Sequence, residues 1–113
     1  SNGGTVTDCN VSGSVTSSSS YVYDNPSHAG GIIGYNTDGT VTDCDASGSV
    51  TATSSTGPSY AGGVIGYLSS GTTTANTYAT STGQSYGIGR DYREAYDPVS
   101  GAYPPSNNGA TPQ

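Results

Sequence analysis

Few side chains in this sequence could do chemistry: Cys9 and Cys44, the single His28, Arg90 and Arg93, and eight acids, of which Asp8 and Asp43 recur at matched places with Asp45 close by. Each cysteine ends an identical GTVTDC run, so a fold that superposes the two runs brings them into one column about 5 Å apart, within disulfide range. Parallel neighbours point their side chains the same way, which makes that bond awkward. A buried thiol ladder and a disulfide both stand as readings, whereas a metal site lacks the His or Cys quartet it needs. Stacked carboxylates would suit calcium, but the spacings of known calcium loops are absent. The three aspartates read instead as side chains that cap bends. His28 sits at the end of a variable stretch, with Tyr60 rather than a second imidazole at the matching place and no nucleophile arrangement around it. The two arginines are too few for a phosphate clamp, and GIGRD at 87–91 has neither the length nor the lysine of a phosphate loop. No catalytic, cofactor or metal residue is assigned, and an enzyme is not expected.

What positions these residues is a repeat. GTVTDCNVSGSV at 4–15 returns as GTVTDCDASGSV at 39–50 with ten of twelve positions identical, and AGGIIGY at 29–35 returns as AGGVIGY at 61–67. A worn third copy runs through SGTTTANTYATST at 70–82, aligned with one residue inserted before Thr77, and SYGIGRD at 85–91. The units are 3–36, 38–69 and a degraded 70–89. From Arg90 to Gln113 the composition changes to a tail with most of the prolines and both arginines.

Short alternating runs separated by tight bends favour a chain that turns corners over a hairpin sandwich. The expected fold is all-β: a short parallel β-solenoid of about two and a half to three coils at 1–89, with the tail extended and docked at 90–113. Its inner ladder pairs Val6 with Val41, Cys9 with Cys44, Val11 with Ala46, and Val15 with Val50. The third coil offers Thr73, Thr77, Ala79 and Thr82 or Gly83 to the same columns. In AGGIIGY, Ile33 and Ile65 face inward, so Ile32 and Val64 face out and need a cover. The tail, through Tyr92, Tyr96 and Tyr103, is the nearest candidate cover. These aliphatics and tyrosines together form the expected assembly surface.

The apolar fraction is 30% and the formal charge is -6, with no Lys, Trp, Phe or Met. With no basic patch to gather a phosphate backbone, no nucleic-acid partner is expected, and no apolar run is long enough for membrane insertion. The Ser/Thr-rich, lysine-free composition suits a secreted or cell-surface place, and the chain reads as a processed or excised piece.

The phrase GTVTDC-ASGSV followed by AGGVIGY resembles the GLUG-motif repeat of large bacterial surface proteins, over about residues 3–89. That resemblance implies a repetitive extracellular region, adhesin-like or spacer-like, and carries no catalytic residues. The expected function is therefore a structural subunit of a bacterial extracellular fibre or adhesin stalk, with copies of itself as partners. An alternative is an adhesin module whose tyrosines, including Tyr21, Tyr23 and Tyr60, hold a glycan or a host surface protein. A minor alternative rests on the Thr-x-Thr runs at Thr5 and Thr7, Thr40 and Thr42, and Thr72 and Thr74, which resemble the ice-binding face of small β-helical antifreeze proteins.

Overall fold

Thr-Val-Thr places β-branched residues on both faces of an extended segment, a combination that suits strands and disfavours helix. Each copy of the repeat starts with such a strand. The computed structural model describes residues 2–19, 27–54, 59–99 and 103–113, and within them the protein is all-β with parallel strand pairing. The first tier comprises β1 (Thr5–Thr7), β2 (Asn10–Val11), β3 (Val15–Ser19), β4 (Ser27–Gly30) and β5 (Ile33–Asn36). The second comprises β6 (Gly39–Thr42), β7 (Asp45–Ala46), β8 (Val50–Ser54), β9 (Ser59–Gly62) and β10 (Ile65–Leu68). The third holds β11 (Gly71–Thr74), β12 (Asn76–Tyr78) and a single 3-10 turn (Thr80–Thr82), and the tail adds β13 (Ala110–Pro112). Tyr21 and Tyr23 lie outside the described residues.

Every strand of the first tier pairs in parallel with its counterpart one repeat later. Val6 faces Val41, Val11 faces Ala46, Val15 faces Val50, and Ile33 faces Ile65. Cys9 lies beneath Cys44, its carbonyl accepting a hydrogen bond from the Asp45 amide at 2.8 Å. The core is a narrow strip in which Val41, Cys44, Val64, Ile65, Leu68 and Ile88 are almost wholly hidden from solvent. Both thiols are free, and the Cys44 thiol donates to the Thr42 carbonyl at 3.3 Å.

The corner after each Thr-x-Thr strand is made by one residue in the left-handed region: Asp8 at φ 55°, Asp43 at φ 54° and Ala75 at φ 56°. Aspartate tolerates that conformation better than other side chains do. The aspartates therefore serve the bend through their backbone dihedrals.

The third tier corrects the sequence alignment. Thr73 does lie opposite Val41, but no residue is inserted before Thr77: Thr77 pairs with Asp45 and Tyr78 with Ala46. Ala75 takes the corner place of Asp43, so Asn76 enters the cysteine column and Tyr78, in place of Ala79, enters that of Ala46. Asn76 is buried with its polar atoms satisfied, accepting from the Cys44 amide at 3.0 Å and donating to the carbonyls of Val41 and Gly109 at 3.0 Å each. The Tyr78 ring lies where a side chain on Gly63 would otherwise stand, since an added Cβ there would come within 2.4 Å of it.

A second correction concerns Ile32 and Val64. Val64 is wholly buried and belongs to the same apolar cluster as Ile33 and Ile65, with Ile32 half-buried against it. The reason is a bend: residues 31–32 and 63–64 lie outside the strands, and the amides of Ile32 and Ile33 both donate to the Val64 carbonyl, at 2.9 and 3.1 Å. At such a corner two successive side chains point inward, because strict alternation holds only within a strand. Ile33, Val64 and Ile65 are thus interior, with Ile32 half-buried against them.

The tail accordingly lies elsewhere than over an outward aliphatic stripe. It covers part of the C-terminal end of the paired repeats: β13 pairs in parallel with β12, Ser106 bridges Ile88, and Ala110 is buried in the core cluster. Asp91, fully buried, anchors it by accepting from Ser106 Oγ at 2.6 Å and pairing with Arg93 at 2.9 Å, while Arg93 also reaches the Asn108 carbonyl at 2.8 Å. Burial alone would raise the Asp91 carboxyl, but the hydrogen bonds from Arg93 and Ser106 and the Arg93 charge outweigh it and hold it below the ordinary carboxylate value. At the opposite end the outer edges of β1, β2 and β3 are unpaired among the described residues. There Val6, Cys9, Val11 and Val15 are half-exposed, whereas Val41, Cys44, Ala46 and Val50 above them are buried.

Candidate functional site

The glycines of AGGIIGY and AGGVIGY bring two pairs of strands into contact through their backbones. A Cβ on Gly30 would lie 2.0 Å from the Ile33 carbonyl oxygen, and one on Gly66 would lie 2.7 Å from that of Ala29. Only glycine permits so close an approach. Strand pair β4 and β9 and strand pair β5 and β10 therefore meet at a seam, and the aromatic residues beside it fall against one another.

His28 and Tyr60 are in register on β4 and β9, and Tyr35 and Tyr67 on β5 and β10. Each pair stacks face to face, His28 on Tyr60 at 5.6 Å and Tyr35 on Tyr67 at 4.9 Å between ring centroids. His28 also meets Tyr67 edge-on at 4.9 Å. The row continues beyond the second tier: Tyr92 abuts Tyr67 at 5.3 Å, Tyr103 abuts Tyr92 at 4.1 Å, and Tyr96 abuts Tyr103 at 5.1 Å. Tyr92, Tyr96 and Tyr103 thus extend an aromatic face that the repeats begin. Tyr96 is 50% exposed.

Arg90 lies within this face. Its guanidinium carbon is 4.9 Å from the Tyr60 ring centroid, 5.3 Å from Tyr67, 5.2 Å from Tyr92 and 5.9 Å from Tyr103, all within cation–π range. Nη1 donates to the Tyr60 hydroxyl, whereas Nε is buried with no hydrogen-bond partner among the described residues. The only ion pair among the described residues is that of Arg93 with Asp91, so no described carboxylate balances Arg90. Burial and then the Arg90 charge lower the His28 pKa below 6.5. Burial, followed by a hydrogen bond with Tyr92, raises that of the Tyr67 hydroxyl.

Of this seam, β4 and β5 with His28 and Tyr35 lie within a match to a known family. The family model of the GLUG motif matches residues 25–51. Residues 25–51 carry a GLUG motif. The matched stretch is shorter than the span of the sequence resemblance and straddles the first two tiers, from the residues before β4 through the first seam strand, the Asp43 corner and into β8. No match was found among curated proteins or among solved structures.

Of the residues singled out from sequence, the structure brings Tyr92, Tyr96 and Tyr103 together with Tyr60, and leaves the two cysteines in the core. His28 and Tyr60 share a column although one is an imidazole and the other a phenol. Sequence reasoning missed Tyr35 and Tyr67 as partners of this face. The signal was present, since both GLUG phrases end in tyrosine. Asp45 accepts from Thr77 Oγ1 and from Gln113 Nε2, each at 2.7 Å, and so helps hold the chain's last residue to the stack.

Proposed function

We propose that the GLUG repeats wind as a short β-solenoid of about three coils, and that this chain is a structural subunit of a bacterial extracellular stalk or fibre. The observation that carries the reading is the asymmetry of its two ends. The tail covers the last tier with β13, Ser106 and Ala110, while the first tier presents an open edge of β1, β2 and β3 with half-exposed valines. An open parallel edge whose inner columns repeat those already paired within the chain is a template for one more copy of the same unit. Two isolated chains that use this edge meet head to head, as identical surfaces related by a two-fold axis do. The GLUG resemblance and the acidic, lysine-free composition support a secreted or cell-surface place.

Analytical ultracentrifugation tests the reading. The wild-type chain is expected to self-associate as concentration rises, and Val11→Lys, which puts a charge at the open edge, to remain monomeric. A wild-type chain that stays monomeric at millimolar concentration contradicts association through that edge.

A second reading has its own observation. Thr5, Thr40 and Thr72 are in register, as are Thr7, Thr42 and Thr74, all outside the buried column of Val41 and Thr73. This regular array of six hydroxyl and methyl groups suits ordered water, and measurable thermal hysteresis in solution is the expected sign of ice binding.

A further inference from the structure

We propose that the aromatic face around Arg90 binds uronate-bearing polysaccharide, with pyranose rings lying against the tyrosines and a sugar carboxylate accepting from the guanidinium. This site does not rest on the winding or the assembly proposed above.

Charge is the first support. On a chain of formal charge -6, Arg90 is a cation that no described carboxylate neutralises. Arg93, by contrast, is committed to Asp91 and Asn108. A guanidinium carries five N–H donors, and Arg90 spends one on the Tyr60 hydroxyl. With Nε buried, its remaining Nη donors suit a planar carboxylate, which takes two parallel hydrogen bonds from such a fork.

Shape is the second support. The rings of Tyr92, Tyr103 and Tyr96 follow one another at 4.1 and 5.1 Å, with Tyr67 buried behind them, a run of apolar faces and edges with hydroxyl rims at about the scale of a single sugar ring. Tyrosine offers stiff, amphipathic contact of the kind that suits a ligand polar at its edge and apolar on its face.

The test is titration of the full chain with an oligogalacturonate and with its neutral methyl ester, read by calorimetry and by the fluorescence of the tyrosines. Binding of the acid is expected to weaken as salt is added and to be about tenfold or more tighter than binding of the ester. Arg90→Gln should abolish the preference for the acid, with circular dichroism confirming that the fold persists. Should that variant fail to fold, Tyr96→Ser decides: Tyr96 is half-exposed, and removing its ring should weaken binding several-fold at unchanged stability. Equal binding of acid and ester, undiminished binding by Tyr96→Ser or by folded Arg90→Gln, or no response to millimolar acid would each overturn the proposal. In those cases Arg90 serves only to hold the tyrosines together.

Discussion

At the scale of single residues, Ala75 shows what the corner demands. Asp8 and Asp43 adopt left-handed dihedrals that their side chains tolerate, and Ala75 adopts the same dihedral without that tolerance. Ala75→Asn is therefore expected to stabilise the fold by about 0.5–1 kcal/mol in urea unfolding, and Asp43→Ala to destabilise it by a similar amount. Protonation of His28 is the second residue-scale case. Its pKa is lowered in the fold, so between that value and 6.5 the unfolded chain binds more protons than the folded one. Stability consequently rises with pH through this window and falls as the solution is acidified below 6.5. Asp91 adds a second loss at lower pH, because its depressed carboxyl stabilises the fold above the ordinary carboxylate value and ceases to as it protonates. His28→Tyr, which copies the Tyr60 position, should flatten the upper part of a stability-versus-pH curve and leave the acid part in place.

Seam glycines dominate at the scale of elements. At Gly66 an added methyl group meets the backbone of Ala29 and Gly34, which cannot move without disturbing both strand pairs. Gly66→Ala should cost about 1–3 kcal/mol or more, whereas Gly13→Ala, with nothing within 4 Å of the added carbon, should leave the denaturation midpoint nearly unchanged. The sequence contained the repeat and with it the parallel pairing of Val6 with Val41, because two nearly identical runs leave few ways to align. It misled at Ile32 and Val64, where a strand's alternation was extended across a bend that nothing local announces. At Ala75 it misled because an Ala in place of Asp looked like an inserted residue, when the backbone conformation and not the residue type was the conserved feature of the turn.

On the scale of the whole molecule, two layers of information combine. Repetition pairs the strands in parallel, and the tail adds β13 to β12 and locks Arg93 onto the buried Asp91. The tail's final position was not legible, since Ala110–Pro112 shares no pattern with the strands it extends and its docking depends on Asn76 and Tyr78 having replaced smaller or apolar residues beneath it. The aromatic face was legible in part: the tail tyrosines drew notice, but Arg90 acquires its four ring neighbours only when tiers and tail are assembled. The central claim is that successive repeats lie in parallel, in register, one above another. Nuclear Overhauser contacts across the Thr-x-Thr strands test it most directly. The structure predicts that Thr40 is adjacent to both Thr5 and Thr72, and Thr42 to both Thr7 and Thr74. Contacts running in the reverse order, with Thr40 beside Thr7 or Thr74, would contradict it.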